Sequence, residues 1–577
     1  MPSVIHHVRR NADKWVSFIV GSAIFLVIAG PRVLLPTSTT WLRWGDSAQH
    51  YYGWEFFRRS PLLQFPIGDS PRFGIGYSSS VVYTDSIPLL AIPFKYLTFW
   101  FDAEFQYFGV WLLVCYIAQH YVAQRILCKL GVATVFARIA ATFFVVAPVF
   151  LFRQTILGYG HMALVGQFLV LIALLLALDD RYDQRKWAAL LAVSVLVQFY
   201  LFVMVAVVWV TVLVRSAYKK SMAPRQVTIR TIVTTSFVTV IMWVVGYFSA
   251  GNSSEEGFGI FRADLATFFD PETVTTTRWS SVLPDQPVVP NNVNGTFEGF
   301  AFLGLGILIA LVMGAVAQVP RRTMLRQTTS DERTTQRSPT VDPAAPNASL
   351  IRRLVPASLV CFVFALSNVV TFRVERATLD VPDSLEWIGN TLRASGRFVW
   401  PLTYVVMIVA LVWVARSLPK SVAIAVVSVL LVLQVVDSRR ALSETRERFT
   451  EFNYPKSVLS APDWALIAAG KSRLVTDPPQ YKGFVWQDFA EFALERRMVT
   501  NASYLSRVDY QQLARVEVEV RNELLTKNID SDTLYITLPR SGSYASLRHQ
   551  LNHSDGELAP GVKARFINGM LAVYRDE

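Results

Sequence analysis

The chain has 577 residues, of which 52% are hydrophobic, and it contains 15 Trp and 38 Phe. This composition excludes an ordinary soluble multidomain protein and indicates a polytopic α-helical membrane protein. The net charge of +12 does not indicate a nucleic-acid partner, because the basic residues cluster in short connections between apolar runs. The three cysteines have no metal-like spacing, so the sequence predicts neither disulfides nor a zinc site.

The first apolar run, residues 15–34, has the length of a membrane span and follows a basic N-terminal segment. Because basic residues collect on the cytoplasmic side of a membrane, we expect a cytoplasmic N-terminus and a first periplasmic loop at residues 36–104. Within that loop, residues 87–101 form a short apolar stretch interrupted by prolines. This pattern predicts a segment that re-enters or lies along the membrane without crossing it.

Six further spans would complete a first membrane module, residues 1–248, with seven crossings. They are predicted at residues 105–127, 132–152, 162–178, 187–200, 201–214 and 231–248. The stretch 187–214 would be about 42 Å long as one helix, which is too long for a single perpendicular crossing. Two short crossings that meet near Phe199 and Tyr200 also satisfy the distribution of basic residues.

The second half of the chain alternates loops and spans. Residues 249–299 are rich in Asn, Thr, Pro and Gly and predict a second periplasmic loop. A C-terminal membrane half follows at residues 300–436, with crossings at 300–319, 354–371, 399–414 and 422–436. Its connection 320–352 is basic and poor in apolar residues, which predicts a cytoplasmic loop that does not fold alone. The total is about eleven crossings.

The composition changes abruptly at residue 437, after which charged residues become common. The alternating run 533–537 predicts a strand, and residues 511–525 predict an amphipathic helix. Residues 437–577 are therefore expected to form a soluble α/β domain. An odd number of crossings would place this domain in the periplasm.

No P-loop, dinucleotide fingerprint, nucleophile elbow or zinc-protease motif is present, so nucleotide hydrolysis and soluble-cofactor redox chemistry have no support. The predicted topology instead gathers a set of charged and polar residues on the outer side of the membrane. They are Asp46, Asp85, Arg153, Tyr159, His161, Asp264, Asp270, Glu298, Arg393 and Arg397. A carboxylate pair that faces a basic pair at the outer leaflet suits a reaction on a lipid-linked phosphate.

Each of these residues also has a purely structural explanation. Asp46 and Asp85 both precede a serine and would serve as helix caps in an ordinary loop. His161 would cap the span that follows it, and a carboxylate at Glu298 would be favoured by a helix dipole alone. The aromatic residues of the first loop suit a sugar-binding surface, yet membrane interfaces have the same composition.

A resemblance to a known class supports the functional interpretation. The order of parts is similar to that of polyprenyl-phosphate-sugar-dependent membrane glycosyltransferases of the C-type (GT-C) fold. In detail, the stretches GDSAQHYYGWEFFR, YTDSIPLLAIPFK, QYFGVW, EGFAFLGLG and RASGRFVWP resemble a bacterial inner-membrane family expected to carry that fold. The chain lacks the Trp-Trp-Asp-Tyr-Gly signature of oligosaccharyltransferases and any Asp-x-Asp in the first loop, which argues against peptide acceptors and an obligatory metal.

The resemblance implies a GT-C-like seven-helix core plus further helices in the bacterial inner membrane. It also implies an inverting glycosyltransferase that moves a sugar from a polyprenyl-phosphate donor to a periplasmic glycan or lipid, as in modification of O-antigen, lipopolysaccharide or the cell envelope. No cofactor is expected, and a divalent metal has no support. The alternatives are a transporter or flippase of a lipid-linked glycan, and a scaffold that presents the C-terminal domain.

The same resemblance assigns expected roles to individual residues. Asp46 is the expected general base, and Asp85 would share that role or position the acceptor. The expected donor-phosphate ligands are Arg397, Arg393 and His161, since a guanidinium group matches phosphate geometry. The expected sugar-binding or acceptor-binding residues are Gln49, Tyr52, Trp54, Tyr83 and Glu298.

Overall fold

The computed structural model describes residues 2–77, 79–155, 160–251, 257–271, 278–284, 296–317, 349–450, 456–480, 485–551 and 556–576. Most of the predicted cytoplasmic loop 320–352, and part of the predicted periplasmic loop 249–299, lie outside these residues.

The helices of the N-terminal part begin near the start of the chain and continue to residue 245. They are α1 Pro2–Ile28, α2 Gly45–Arg58, α3 Pro88–Thr98, α4 Phe108–Lys129, α5 Thr134–Val145, α6 Pro148–Leu151, α7 Phe168–Ala177, α8 Gln184–Val197, α9 Phe199–Tyr218 and α10 Pro224–Val245. The next group runs to residue 450. It comprises α11 Leu305–Ala317, α12 Val355–Ala365, α13 Asp383–Thr391, α14 Trp400–Ser417, α15 Lys420–Asp437 and α16 Arg439–Thr450.

Two short strands, β1 Val369–Phe372 and β2 Glu375–Thr378, form an antiparallel hairpin before α13. The remaining elements are α17 Pro462–Ile467, β3 Arg473–Asp477, α18 Trp486–Glu495, β4 Val499–Thr500, α19 Tyr510–Thr526, β5 Thr533–Thr537, α20 Gly542–Leu551, β6 Glu557–Ala559, β7 Val562–Ile567 and β8 Met570–Arg575.

Five helices within the described ranges are long and apolar enough to cross a membrane. They are Asn11–Ile28, Phe199–Tyr218, Pro224–Val245, Ser395–Ser417 and Lys420–Asp437. The pair Thr134–Val145 and Pro148–Gln154, bent by 44°, would add a sixth. In α10 only 11% of the apolar stretch is buried, which suits a helix that faces lipid. These are the features of a membrane protein, while the count of eleven crossings stays a prediction.

Two irregular parts of the helical region fall close to the positions expected from the sequence. The segment 87–101 contains α3, whose 11 residues give a helix of about 16 Å, roughly half the hydrocarbon thickness. It packs against α2 and α8. The stretch 187–214 is divided into α8 and α9 at Gln198, whose backbone is extended and whose side chain caps α9.

The C-terminal unit is built on a six-stranded sheet with the order β4-β3-β5-β8-β7-β6. β3 pairs in parallel with β4 and β5, and the other neighbours are antiparallel. β5 coincides with the alternating run predicted as a strand, and all its residues are buried. The α/β unit begins at α17, whereas α16 packs on α1 in the helical part.

The α/β unit is attached to the first loop by backbone and side-chain contacts. The amides of Gly74 and Ile75 both donate to the carbonyl of Thr500, at 2.9 and 3.1 Å. The Arg43 guanidinium pairs with Glu491 of α18. Residues of the C-terminal unit are therefore held next to α2, where the first candidate carboxylate lies.

Candidate functional site

Helix α2 and the segment after Val82 determine where the two predicted carboxylates lie. Asp46 lies in the first turn of α2, where a carboxylate interacts favourably with the helix dipole. Further along α2, a Cβ at Gly53 would lie 2.2 Å from the Cβ of Thr84, so glycine permits this close approach. The carbonyl of Thr84 lies 2.9 Å from Nδ1 of His50, and Gln49 donates to the carbonyl of Tyr83 at 3.0 Å.

The backbone is strained at the second carboxylate. Asp85 and Ile87 have φ values of 52° and 56°, in the left-handed region that a β-branched residue such as isoleucine rarely adopts. The hydroxyl of Ser86 between them donates to the carbonyl of His50 at 2.7 Å, which anchors the strained turn to α2. Strain of this kind costs about 1–3 kcal/mol per residue and is typical of functional sites.

Both carboxylates lie on the wall of one cavity with a volume of about 800 Å³. Its polar lining comes from five parts of the chain: α2 with the following loop, the segment before α7, the junction of α8 and α9, the segment 296–299, and the segment 391–397. The charged or polar side chains among them are Asp46, Gln49, Tyr83, Asp85, His161, Gln198, Tyr200, Glu298, Arg393 and Arg397. Apolar side chains of α8, α9 and α10 complete the lining, together with Tyr504, Ser506 and Arg507 from the α/β unit.

A buried ion cluster forms one side of the cavity. Arg397 donates from Nε and Nη2 to the two carboxylate oxygens of Glu298, at 2.8 and 2.6 Å. Arg153 Nη1 lies 2.7 Å from Oε2 of the same carboxylate, and Arg153 Nη2 donates to the Glu298 carbonyl. The segments 296–299 and 391–397 meet closely because Gly396 has no side chain: a Cβ there would lie 2.6 Å from the amide nitrogen of Gly299.

The carboxylates of the cavity differ in their electrostatic surroundings. Burial, reinforced by the negative charge of Glu298 and opposed by the charge of Arg397, raises the pKa of Asp46 to about 7. Burial also raises the pKa of Asp85, although His50 and Arg397 act in the opposite direction. Burial would raise the pKa of Glu298 as well, but the charges of Arg153 and Arg397 outweigh it and hold that pKa well below its usual range.

Two histidines lie together beside Asp85. Nε2 of His161 is 3.5 Å from Oδ2 of Asp85, and the rings of His50 and His161 are edge to face with centroids 4.6 Å apart. Burial, reinforced by the charge of His161, lowers the pKa of His50 to about 3. Burial and the charges of Arg397 and Arg153 hold the pKa of His161 well below its ordinary value. Both rings are therefore neutral near pH 7.

Eight of the ten predicted site residues line this cavity, and Tyr52 and Trp54 do not. Trp54 is fully buried against Tyr107, and its indole donates to the carbonyl of Phe105 at 2.7 Å. Tyr52 lines a separate cavity of about 270 Å³ beside Arg43 and Glu491.

The main cavity thus brings together Asp46, Asp85, Glu298, Arg393 and Arg397, and Arg153 joins them through its ion pair with Glu298. Asp264 and Asp270, also predicted from the sequence, do not line it, and Asp264 instead accepts from the amides of Ala266 and Arg373. Tyr159 lies outside the described residues.

The site also contains residues that were not assigned roles from the sequence. Arg153 directly follows an apolar run, and His50 lies in the first loop. The charge of Arg153 and the polar ring of His50 are the only local signals in the sequence that either residue belongs to a site. The residues from the α/β unit carry no such signal, because their contacts are with parts of the chain that are more than 100 positions away. Within the described ranges, no group of three or more His, Cys, Asp or Glu residues could hold a metal ion.

Comparisons with known proteins match both parts of the chain. The model of the family described as "Domain of unknown function (DUF6311)" matches residues 18–439, and that of the "DUF6311 C-terminal domain" matches residues 463–559. No curated protein matches the chain.

The chain is also similar to a solved structure, the apo form of the oligosaccharyltransferase of Archaeoglobus fulgidus. The TM-score is 0.41 and the sequence identity is 11%, over 86% of this chain and 64% of that chain. The chain therefore covers less than two thirds of that protein's length, and a likeness of this degree carries no conclusion about activity.

Proposed function

The chain belongs to the DUF6311 family, and we propose that it is a membrane glycosyltransferase that acts with inversion. The donor would be a sugar linked to a polyprenyl phosphate, and the acceptor a hydroxyl group of a periplasmic glycan or lipid. The observation that carries this proposal is that one cavity is lined by the Asp46 carboxylate and by the Glu298–Arg397 ion pair, to which Arg153 is joined through Glu298.

The cluster supports binding of the donor phosphate. Two guanidinium groups share the single carboxylate of Glu298, so the cluster keeps a net positive charge. Arg393 adds a further guanidinium to the lining. Guanidinium groups suit phosphate oxygens because their N–H donors are planar and paired. Neutral His161, which also lines the cavity, would contribute a hydrogen bond without a charge.

The apolar part of the lining supports a lipid-linked donor. Val197 and Phe199 lie at the break between α8 and α9, and Met242 and Phe248 lie at the end of α10. Phe248 is 58% exposed and follows α10, whose apolar stretch is mostly uncovered. A cavity that is polar at one side and continuous with an apolar helix surface at the other suits a phosphate with a long hydrocarbon chain.

The reaction would need one base and no acid. The acceptor oxygen attacks the anomeric carbon, its proton passes to the Asp46 carboxylate, and the bond between that carbon and the phosphate oxygen breaks. The bonding electrons leave with the phosphate, which requires no protonation. Attack opposite the leaving group inverts the anomeric configuration. Asp85 would orient the acceptor or share the role of base, since it lines the same cavity.

The envelope glycans of the host test this proposal. Deletion of the gene should remove one sugar substituent from the glycan profile, and expression of the wild-type chain should restore it. Asp46→Asn should fail to restore it at equal protein levels, whereas Asp463→Asn should succeed because Asp463 is partly exposed and pairs with Arg565 outside the cavity. An unchanged profile in the deletion strain, with an accumulated lipid-linked glycan on one leaflet, would favour a transporter instead.

A further inference from the structure

The segment that carries two of the proposed phosphate ligands, residues 390–397, is held in place from several sides. The amide of Ala394 donates to the hydroxyl of Tyr200 at 3.1 Å, and the amide of Gly396 donates to the carbonyl of Phe261 at 2.8 Å. The Arg393 guanidinium lies 5.8 Å from the centre of the Phe261 ring. These contacts come from the helical part and from the segment that follows α10.

One further contact comes from the α/β unit. Arg507 donates from Nη1 to the carbonyl of Asn390 at 3.2 Å, and from Nη2 to the carbonyl of Thr391. These are the last carbonyls of α13, which lack partners within the helix, so a cationic donor satisfies them and also interacts with the helix dipole. Arg507 thus caps the C-terminal end of α13, and Arg393 follows directly after this end.

The backbone next to Arg507 is tied to the cavity as well. The amide of Ser506 donates to the carbonyl of Tyr83 at 2.6 Å, and the Tyr83 hydroxyl donates to the carbonyl of Tyr247 at 2.8 Å. Asp509 caps α19 and lies beside Gly251, where a Cβ would be 2.8 Å from its carboxylate oxygen. The segment 504–509 is therefore fixed to the first loop, to the end of α10 and to α13 at once.

We infer that Arg507 is a positioning residue, through which the C-terminal α/β unit fixes the segment that carries Arg393 and Arg397. It acts through the carbonyls of Asn390 and Thr391, and its two guanidinium nitrogens that make these bonds are directed at backbone. The donor site is incomplete without the α/β unit, which would then be an obligate part of the site and not an appended module. The positioning role stands on contacts within the chain, but its consequence for donor binding rests on the proposed function.

Hydrogen exchange tests the positioning role without any ligand. Arg507→Met keeps the length of the side chain and removes both hydrogen bonds, so amide exchange across residues 390–397 of the full chain should become faster. Arg507→Lys should give an intermediate rate because one donor remains. Arg515→Met is the matched control, since Arg515 is exposed on α19. Equal exchange in wild type and Arg507→Met at these amides would overturn the inference.

Binding of a short-chain polyprenyl phosphate to the detergent-solubilised full chain tests the consequence. Arg507→Met should weaken binding about tenfold, as expected for the loss of one or two charge-assisted hydrogen bonds. In an Arg393→Met background, the same change should weaken binding less than about twofold, because residues that act through one another are not additive. Additive losses would mean that Arg507 contacts the ligand itself and would overturn the positioning role.

The two readouts separate failure of this inference from failure of the proposed function. If the wild-type chain does not bind the polyprenyl phosphate while exchange responds as expected, the proposed donor is wrong and the positioning role holds. If the wild type binds it and Arg507→Met binds it equally well, the inferred contribution of the α/β unit to the donor site is wrong and the proposed donor holds.

Discussion

Arg397 and Glu298 form a bidentate ion pair, with Nε to Oε2 at 2.8 Å and Nη2 to Oε1 at 2.6 Å, and both side chains are buried at the edge of the main cavity. Because Arg153 binds the same carboxylate, Glu298 fixes the spacing of two guanidinium groups. Planar donors held in this manner lose little conformational entropy when a phosphate binds. Glu298 therefore prepares the cationic side of the cavity.

Replacement of Glu298 should destabilise the protein. Glu298→Gln would leave two buried guanidinium groups without their carboxylate, and loss of one partner of a buried ion pair costs about 3–5 kcal/mol. Thermal unfolding of the solubilised chain should therefore shift to a clearly lower temperature. Glu444→Gln, on the partly exposed surface of α16, should change it little. Equal unfolding temperatures for wild type and Glu298→Gln would contradict a structural role for the cluster.

Arg397→Lys should weaken donor binding more than it slows transfer. Lysine keeps the charge but lacks the paired N–H donors that bind Glu298 and match phosphate oxygens. The donor contact exists already in the bound ground state, so its loss appears mainly in the dissociation constant, by about tenfold or more. Titration with a polyprenyl-phosphate sugar measures this directly. A slower transfer from the bound donor, with unchanged donor affinity, would mean that Arg397 does not act mainly by binding the donor phosphate.

The pKa of about 7 at Asp46 predicts two opposite pH dependences. A base works when ionised, so transfer should rise with pH up to about 7 and then level off. Stability should behave in the opposite way: a carboxyl whose pKa is raised on folding favours the folded state at low pH, and this contribution is lost as pH rises from about 4 to 7.

Asp46→Asn isolates the stability part of that prediction. The variant cannot ionise at this position, so at pH 8 it should be more stable than wild type, by up to roughly 4 kcal/mol at about 1.4 kcal/mol per pKa unit. At pH 4 the two proteins should unfold at similar temperatures. Asp463→Asn serves as the control for loss of a surface carboxylate. A wild type that is the more stable of the two at pH 8 would mean that Asp46 is not held in a desolvated environment.

The sequence was informative where topology alone brings residues together. Asp46, Glu298 and Arg397 each lie next to an apolar run whose predicted direction puts that end on one side of the membrane, and all three line one cavity. The pairing of Glu298 with Arg397 was not predictable, because two charges at separate helix starts do not reveal whether they neutralise each other. The role of Arg507 was not predictable either. Its bonds to Asn390 and Thr391 join residues more than 100 positions apart, and such contacts leave no local pattern in the sequence.

Composition alone did not show which aromatic residues of the first loop line the cavity. Trp54 and Tyr83 lie in the same loop and were assigned the same expected role, yet only Tyr83 lines the cavity. Packing decides between them: Trp54 is on the face of α2 that is covered by Tyr107 and Phe105. A buried core and a sugar-binding surface use the same rings, so the face of the helix had to be known.

Trp54→Phe should therefore affect stability and not transfer. The substitution removes the indole donor to the Phe105 carbonyl and reduces the buried volume, which costs about 1–3 kcal/mol. Sugar transfer at a temperature where the variant is folded should match the wild type within about twofold. Tyr83→Phe is the comparison, since it removes a hydroxyl at the cavity wall. A loss of transfer by folded Trp54→Phe would mean that the helix face assigned to the core reaches the substrate.

Single-turnover transfer by Asp46→Asn tests the proposed general base most directly, measured with purified protein, a polyprenyl-phosphate sugar and an envelope glycan that the wild type modifies. Loss of a general base acts on the transition state and not on the bound ground state. The rate should therefore fall by about 10²-fold or more while the donor dissociation constant changes less than about threefold. Turnover by Asp46→Asn at the wild-type rate, with donor bound, would contradict a role for Asp46 as the general base.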